Sequence, residues 1–414
     1  MNATPSGERV HIGFFGVRNA GKSSLVNAVT GQSLAVVSDT PGTTTDPVHK
    51  AMELLPLGPV VIVDTPGIDD VGGLGELRVQ KARRALDAAD IAVLVVDCTK
   101  GMGEVDRSLV EQFQQRRIPY IVALSKADLA GAGDGAAREP RTPADMVGLD
   151  AAGIRSASLS TSSAEGWGIE ALKEVLAVLA DGPKAERKLV SDLVGQGDVV
   201  VLVVPIDSAA PKGRLILPQQ QVIRDLLDAG AHACVTSVQG LPGLLGSLEG
   251  APRMVVTDSQ VFGDVARVVP GDVPLTSFSI LMARYKGTLD MQLEATSALE
   301  GLTDSSRVLI SEGCTHHRQC DDIGTKKLPR LIRGLCGANP QFSFTSGGEF
   351  PEDVRAYDAI VHCGGCMLNA REMEHRAQTA AGQGVPFANY GMTIAKAHGV
   401  FDRAIAALDT GGPG

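Results

Sequence analysis

Short apolar runs alternate with helix-forming segments along most of the chain. The runs at 10–15, 120–124 and 199–204 have the length of buried strands. A loop follows each run, and beyond the loop the apolar residues recur at helical spacing. Strands that alternate with helices predict parallel sheets built from βαβ units. We therefore expect an α/β protein.

The same pattern predicts three domains. The turn Asp181-Gly182-Pro183 follows a helical segment at 170–179, and a chain of 414 residues is too long for one ordinary core. We place the domains at 1–183, 184–274 and 275–414. In the middle segment His232 and Cys234 alternate with apolar residues on a strand, which favours packing over metal ligation. That segment is interpreted as a connector and oligomerisation module.

A phosphate-binding loop follows the first apolar run. Gly16 to Ser23 match G-x(4)-G-K-[ST] between a predicted strand and a predicted helix, which is the context that this motif requires. Backbone amides would surround the phosphates at the helix N-terminus, Lys22 would reach the β- and γ-phosphates, and Ser23 would bind Mg²⁺. The expected contacts come from Gly16, Asn19, Ala20, Gly21, Lys22, Ser23 and Ser24.

Two further loops follow apolar strands in this domain. Asp64-Thr65-Pro66-Gly67 places a carboxylate where it can hold Mg²⁺ through water, and places the Gly67 amide where it can sense the γ-phosphate. Ser125-Lys126-Ala127-Asp128 resembles the N-K-x-D element of GTPases, in which the Asp carboxylate binds guanine. Ser125 departs from the usual Asn, which leaves one loop-bracing hydrogen bond open. Ser162 and Ser163 resemble the last guanine-contacting loop, and the nucleotide is therefore expected to be GTP.

The segment at 41–46 resembles switch I of the tRNA-modification and Era-like GTPases, which makes Thr44 the expected second Mg²⁺ ligand. Ile68 stands where Ras-like proteins carry the glutamine that orients water, and an apolar side chain cannot do so. The resemblance instead implies K⁺, bound partly by Asn19, and contact between two GTPase domains. Glu76 falls where that branch can place a water-orienting carboxylate. We expect slow turnover.

A group of soft metal ligands marks the last third. Cys314 and His316 form C-x-H after one predicted strand, and His362, Cys363 and Cys366 form H-C-x-x-C after another. If the strands are parallel, both loops leave the same carboxyl edge, where open α/β sheets place their sites. From the residues alone, structural zinc and a 4Fe–4S cluster are both compatible with these ligands, and a redox dithiol is a further alternative.

The whole chain, with its GTPase motifs, βαβ connector and terminal C-x-H and H-C-x-x-C, resembles the FeFe-hydrogenase maturation GTPases. The resemblance implies a P-loop GTPase domain followed by two smaller βαβ-type parallel-sheet domains. It implies that Cys314, Cys363 and Cys366 hold a 4Fe–4S cluster, with His316 and His362 as candidates for an exchangeable fourth position. It further implies a scaffold that carries a di-iron precursor, works with two radical-SAM maturases, and delivers its cargo to apo FeFe-hydrogenase.

Composition excludes some other classes of function. The net charge of −10 and the lack of a Lys/Arg-rich run give no support for a nucleic-acid or membrane partner. Seven cysteines without disulfide-like density and a polar N-terminus predict a cytoplasmic protein. We expect a homodimer or larger assembly. The alternatives are a zinc-containing RNA-modification or ribosome-assembly GTPase and a GTP-regulated electron carrier, which would need a fourth thiolate.

Overall fold

The computed structural model divides the chain into two compact units, Met1–Ala185 and Glu186–Gly414. It describes residues 4–32, 48–67, 82–129, 142–181, 187–205, 215–313 and 323–408. No helix within these ranges is both long and apolar enough to cross a membrane.

The first unit is built on one sheet of seven strands in the order β2-β3-β1-β4-β5-β7-β6. Five neighbouring strands of the sheet run parallel, namely β3, β1, β4, β5 and β7. The edge strands β2 and β6 are antiparallel to their neighbours. The strands are β1 Val10–Phe15, β2 Val48–Leu54, β3 Gly58–Asp64, β4 Ile91–Asp97, β5 Tyr120–Ser125, β6 Gly148–Leu149 and β7 Arg155–Ser160.

Helices cover this sheet because their apolar residues recur at helical spacing. All seven residues of β4 are buried, as expected of a central parallel strand. The last helix buries residues three to four apart, including Leu172, Val175, Leu176 and Leu179. The described helices are Lys22–Thr30, 82–88, Glu104–Gln115, Pro143–Met146 and Ile169–Ala180.

The second unit contains two parallel sheets of four strands each. One has the order β11-β10-β8-β9 and the other β13-β12-β14-β15. The sheets share a core in which Val201 and Val255 of the first lie in one cluster with Ile310 and Val361 of the second. The strands are β8 Val199–Val203, β9 His232–Thr236, β10 Met254–Thr257, β11 Leu275–Ser277, β12 Arg307–Glu312, β13 Gln341–Ser346, β14 Ala359–His362 and β15 Phe387–Asn389.

The helices of this unit begin at recognisable signals. Pro218 and Pro329 occupy first-turn positions, and the Asn369 side chain caps its helix by accepting the amide of Glu372 at 3.0 Å. The helices are Leu217–Asp228, Leu241–Ser247, Phe262–Val268, Phe278–Tyr285, Leu289–Ala298, Leu328–Cys336, Ala370–Gly382, Tyr390–Ala397 and Phe401–Ala406. A π-helical turn, Ile323–Lys327, precedes Leu328–Cys336.

The sheets confirm the α/β prediction. Strand β11, Leu275–Ser277, pairs with β10, so the sheet of the middle segment continues past residue 274. The turn before it resembles a linker because it contains two prolines and a glycine, Pro270, Gly271 and Pro274, although it leads into a short buried strand. The predicted domain boundaries stay predictions.

Candidate functional site

The phosphate-binding loop begins where β1 ends. Gly16 has φ 144°, and a Cβ there would lie 2.4 Å from the Val95 carbonyl oxygen, so only glycine fits without displacing the neighbouring strand. Gly21, at φ 93°, is the N-cap of the helix Lys22–Thr30, so the N-terminal turn of that helix follows the loop directly. The buried Lys22 donates through Nζ to the carbonyls of Gly16 at 3.0 Å and Val17 at 3.2 Å. The loop therefore provides amides and a cation for phosphate.

Ser23 and Asp64 lie together at the end of the adjacent strand β3. Ser23 Oγ donates to Asp64 Oδ2 at 3.1 Å, and Asp64 Oδ1 is buried with no hydrogen-bond partner among the described residues. Burial raises the pKa of Asp64, while the charge of Lys22 and the Ser23 hydrogen bond act in the opposite direction. A buried carboxylate oxygen without a partner, beside a hydroxyl, is a donor set that suits hydrated Mg²⁺.

The backbone at Gly67 approaches the phosphate-binding loop closely. A Cβ at Gly67 would lie 3.1 Å from the backbone nitrogen and Cα of Arg18, which is tighter than ordinary packing. The loop after β3 can approach the phosphate-binding loop because this residue has no side chain.

The guanine-side loops are joined to the phosphate-binding loop by side-chain hydrogen bonds. Ser125 Oγ lies 2.5 Å from the Ala20 carbonyl and 3.1 Å from that of Val96, so the hydroxyl reaches the phosphate-binding loop even though Ser replaces the usual Asn. Lys126 donates to the Asn19 carbonyl at 2.7 Å and to Asp97 at 2.8 Å. The substitution of Ser for Asn therefore keeps a connection between the two loops.

The last predicted nucleotide loop is also well defined. Ser162 is fully buried and accepts the amide of Glu165 at 3.1 Å, whereas Ser163 is half-buried. The amide of Ala127 donates to the Thr161 carbonyl at 3.2 Å, which ties this loop to the one that carries the half-buried Asp128. Four of the predicted contact segments thus meet at the carboxyl end of the first sheet.

Several predicted residues lie outside the described part of the chain. These are Thr44, Ile68 and Glu76 of the first unit and Cys314 and His316 of the second. Their roles remain predictions.

Cys363 lies at the carboxyl end of β14, where two backbone amides donate to its sulfur. The amide of Gly313 lies 3.0 Å from Cys363 Sγ, and that of Gly365 lies 3.4 Å away. Burial raises the pKa of the Cys363 thiol to about 11, and the two amides act in the opposite direction. Reactive dithiols have lowered pKa values, whereas a metal deprotonates its thiol ligand directly. The raised pKa therefore argues against an activated redox dithiol at Cys363.

Cys366 is approached by a buried lysine. Burial raises the pKa of the Cys366 thiol, and the charge of Lys286 acts in the opposite direction. Lys286 is 1% exposed and donates through Nζ to the Leu368 carbonyl at 2.6 Å. The lysine thus holds the chain just after the C-x-x-C turn.

His362 is the last residue of β14 and is fully buried. Its Nδ1 lies 2.7 Å from the Cys363 carbonyl, and its Nε2 lies 3.0 Å from Arg376 Nη1. The ring also stacks on Phe387 at 5.4 Å between centroids. Burial and the charge of Arg376 lower the pKa of His362 to about 3, so the ring is neutral, with Nδ1 donating and Nε2 accepting. Both ring nitrogens are engaged in this arrangement.

The residues around these cysteines fit an iron–sulfur cluster. Asn389 pairs with His362 across β14 and β15, and its buried Nδ2 has no hydrogen-bond partner among the described residues. Donors of this kind, like the amides on Cys363, are suited to thiolate and sulfide sulfur. Within the described ranges, no three His, Cys, Asp or Glu side chains converge as a metal site, and Cys314 lies outside those ranges.

Sequence reasoning missed the residues that support both sites. Asp97 holds Lys126, while Lys286, Arg376 and Asn389 surround the cysteine turn. Asp97 could have been found, because it directly follows the apolar run 91–96 and pairs with Ser125 at the same sheet edge. The other three come from separate helices and strands, and their spacing carries no signal.

Three family models match successive parts of the chain. "50S ribosome-binding GTPase" matches residues 11–126, "Hydrogen maturase F dimerization domain" matches 189–287, and "Hydrogen maturase F tetramerization domain" matches 290–407. The first unit is therefore a GTPase domain, and the second unit carries the oligomerization domains.

Curated relatives match the first unit. GTPase Der of Wolinella succinogenes is 38% identical over 123 residues, which are 29% of this chain and 26% of the relative. The tRNA modification GTPase MnmE of a Synechococcus species is 35% identical over 184 residues, 44% of this chain and 36% of the relative. The chain thus spans only about a quarter to a third of these relatives.

Solved structures also resemble the chain over part of its length. The G domain of the T. maritima FeoB iron transporter is 25% identical with a TM-score of 0.30, and covers 42% of this chain and 100% of its own. Elongation factor SelB from Methanococcus maripaludis is 22% identical with a TM-score of 0.34, and covers 45% and 36%.

The order of domains is more specific than any single match. A GTPase domain is followed by both domains that define hydrogen maturase F, and the described sheets agree with that order. The chain belongs to the hydrogen maturase F family and has the architecture of a hydrogenase maturation GTPase.

Proposed function

We propose that this protein is a GTP-hydrolysing scaffold that holds a 4Fe–4S cluster on Cys314, Cys363 and Cys366. On this proposal it receives a di-iron precursor assembled with radical-SAM maturases and delivers it to apo FeFe-hydrogenase. The family membership supports a role in hydrogenase maturation. The cluster, the cargo and the partners are parts of the proposal.

The observation that carries the proposal is the hydrogen bonding of Cys363. Its sulfur accepts the amide of Gly313, and Cys314 is the next residue in the sequence after Gly313. This contact supports the convergence of the C-x-H and H-C-x-x-C segments, which are far apart in the sequence. Three thiolates would fix the cluster and leave one iron available to an exchangeable ligand.

The hydrogen bonds of His362 bear on which of the two histidines would bind at the fourth position of the cluster. His362 uses both ring nitrogens within the protein, on the Cys363 carbonyl and on Arg376. Ligation by His362 would require one of these hydrogen bonds to break in a fully buried setting, at a cost of about 1–3 kcal/mol. His316 is therefore the preferred histidine candidate, and His362 is proposed to support the strand end.

In the GTPase domain, Ser23 and Thr44 would bind Mg²⁺, and Asp64 would hold it through water. Lys22 and the Gly67 amide would bind the phosphates, with Asn19 contributing to a K⁺ site and Glu76 orienting water. The guanine side of the nucleotide would be bound by Asp128, Ser125, Lys126, Ser162 and Ser163. Nucleotide state would then shift a two-state arrangement that partners recognise, without acting on the cluster chemically.

The cluster is tested by replacing each of the three cysteines with Ser and reconstituting the protein anaerobically with iron and sulfide. Each variant should lose the 4Fe–4S EPR signal and most bound iron, while GTP turnover stays within about twofold because the GTPase site is separate. Cys336→Ser is the matched control, since Cys336 ends a helix of the same unit outside the motif.

The proposal fails if the wild-type protein binds zinc and no 4Fe–4S cluster. It also fails if the Cys363→Ser and Cys366→Ser variants retain a wild-type cluster. A zinc-bound wild type would favour the alternative of an RNA-modification or ribosome-assembly GTPase.

A further inference from the structure

One helix of the dimerization-domain segment contacts the cysteine turn along one face. A Cβ at Gly364 would lie 3.4 Å from Ser279 Oγ and 3.8 Å from Met282 Cβ. Lys286 follows at the end of the same helix, Phe278–Tyr285, and donates to the Leu368 carbonyl at 2.6 Å. Positions 279, 282 and 286 share a helical face, so this face forms a wall along the turn.

Lys286 is held on both sides. Its backbone carbonyl accepts Arg187 Nη1 at 2.9 Å, and Arg187 also forms an ion pair with Glu374. Glu374 belongs to the helix Ala370–Gly382, which begins just after the cysteine turn. The lysine therefore connects the end of the dimerization segment to the chain that carries Cys363 and Cys366.

A buried ammonium is costly unless negative charge or several acceptors compensate it. Lys286 is 1% exposed, and its charge acts on Cys366, whose thiol would become a thiolate on binding a cluster. A 4Fe–4S cluster held by three thiolates carries net negative charge, and its reduction potential depends on nearby charge and hydrogen bonding. A bound cluster would therefore place negative charge beside the lysine.

We propose that Lys286 is a positioning residue of the cysteine site, which anchors the turn through the Leu368 carbonyl and supplies the positive charge that sets the reduction potential of the bound cluster. The inference rests on the proposed cluster function. It makes the dimerization segment a part of the cluster site, because residues 189–287 provide the lysine.

The test separates charge from hydrogen bonding. Lys286→Gln keeps a donor for the Leu368 carbonyl and removes the charge, whereas Lys286→Arg keeps both. Lys396→Gln is the matched control, because Lys396 pairs with Glu300 at 3.3 Å in the same unit and lies outside the cysteine site. Each full-length protein is reconstituted, and iron, sulfide, thermal unfolding and the cluster midpoint potential are measured.

Removal of a nearby positive charge disfavours the added electron. We expect Lys286→Gln to lower the equilibrium constant for one-electron reduction about tenfold, a midpoint shift of about 59 mV toward more negative potential. Lys286→Arg and Lys396→Gln should stay near the wild-type potential. Loss of the cluster in Lys286→Gln with retention in Lys286→Arg would also support the role of the charge.

A Lys286→Gln protein with a wild-type potential would overturn the inference, and so would equal cluster loss or equal failure to fold in the Gln and Arg variants. These outcomes are distinct from failure of the proposed function, because in that case the wild-type protein itself would hold no 4Fe–4S cluster.

Discussion

The nucleotide site and the cysteine site are both assembled at the carboxyl ends of parallel strands, but from different materials. The nucleotide site consists of contiguous loops whose backbone groups do much of the binding, such as the glycines of 16–21. In the cysteine site, only the candidate metal ligands belong to a sequence motif. Its buried support, Lys286, Arg376 and Asn389, comes from two helices and a strand that are distant in sequence.

This difference explains why the nucleotide site keeps the connection between its loops although one residue of its guanine motif is substituted. Ser125 stands where GTPases of this type carry Asn, yet its hydroxyl still reaches the Ala20 carbonyl, because the two loops are already held close by Lys126. Among the described residues of the cysteine site, two backbone amides reach Cys363, and buried polar side chains provide the other support. Its geometry depends on buried polar side chains, and each of them is expensive to replace.

The largest expected effect is a loss of GTP turnover that leaves the cysteine site unchanged. Asp64→Asn should weaken Mg²⁺-dependent GTP turnover about 10- to 100-fold, because Asp64 is positioned to hold the ion through water. Cluster content should not change. Turnover across a Mg²⁺ titration measures the effect, and a near wild-type curve would remove Asp64 from the proposed magnesium site.

The same variant has a pH-dependent effect on stability. Burial raises the pKa of Asp64, so the metal-free folded protein binds a proton more tightly than the unfolded chain does. Its stability therefore falls as pH rises through that raised pKa, and the Asn variant should be the more stable protein at neutral pH. The loss of stability begins above the ordinary pKa of 3.8, so thermal unfolding without Mg²⁺ from about pH 4 to pH 8 should show the difference shrinking at the acidic end.

A second variant should break the support of the cysteine site. Arg376 is 1% exposed and donates to His362 Nε2, to the Gly347 carbonyl and to Glu372. Arg376→Met should lower the free energy of unfolding by about 3 kcal/mol, because it leaves these buried acceptors without their donor.

The exposed pair of Arg355 with Asp353 is the control for that variant, and Arg355→Met should have an effect below about 1 kcal/mol. Chemical denaturation of both proteins measures the two losses. If they were equal, Arg376 would not support the strand end as inferred.

The smallest effect sharpens the account of Ser125. Ser125→Ala should weaken GTP binding about five- to tenfold, because it removes one buried hydrogen bond between the loops. Ser158→Ala, which changes an exposed serine on the neighbouring strand β7, is the control. Equal affinities for the two variants would mean that Lys126 alone connects the loops.

Much of the fold could be predicted from the sequence, because alternating apolar strands and helical segments specify parallel sheets. The nucleotide loops could be predicted for the same reason that they function: their glycines, lysine and carboxylates lie at fixed spacings. The cysteines could be identified, but Lys286 could not. Its role depends on how the helix Phe278–Tyr285 packs on the cysteine turn, and a single lysine after an apolar helix carries no sequence signal.

The most direct test of the account is EPR of the reduced, anaerobically reconstituted wild-type protein, with and without cyanide. A 4Fe–4S cluster on Cys314, Cys363 and Cys366, with one exchangeable position, predicts a cluster signal that changes when cyanide is added. A protein that contains only zinc, or a cluster signal that is indifferent to cyanide, would contradict it.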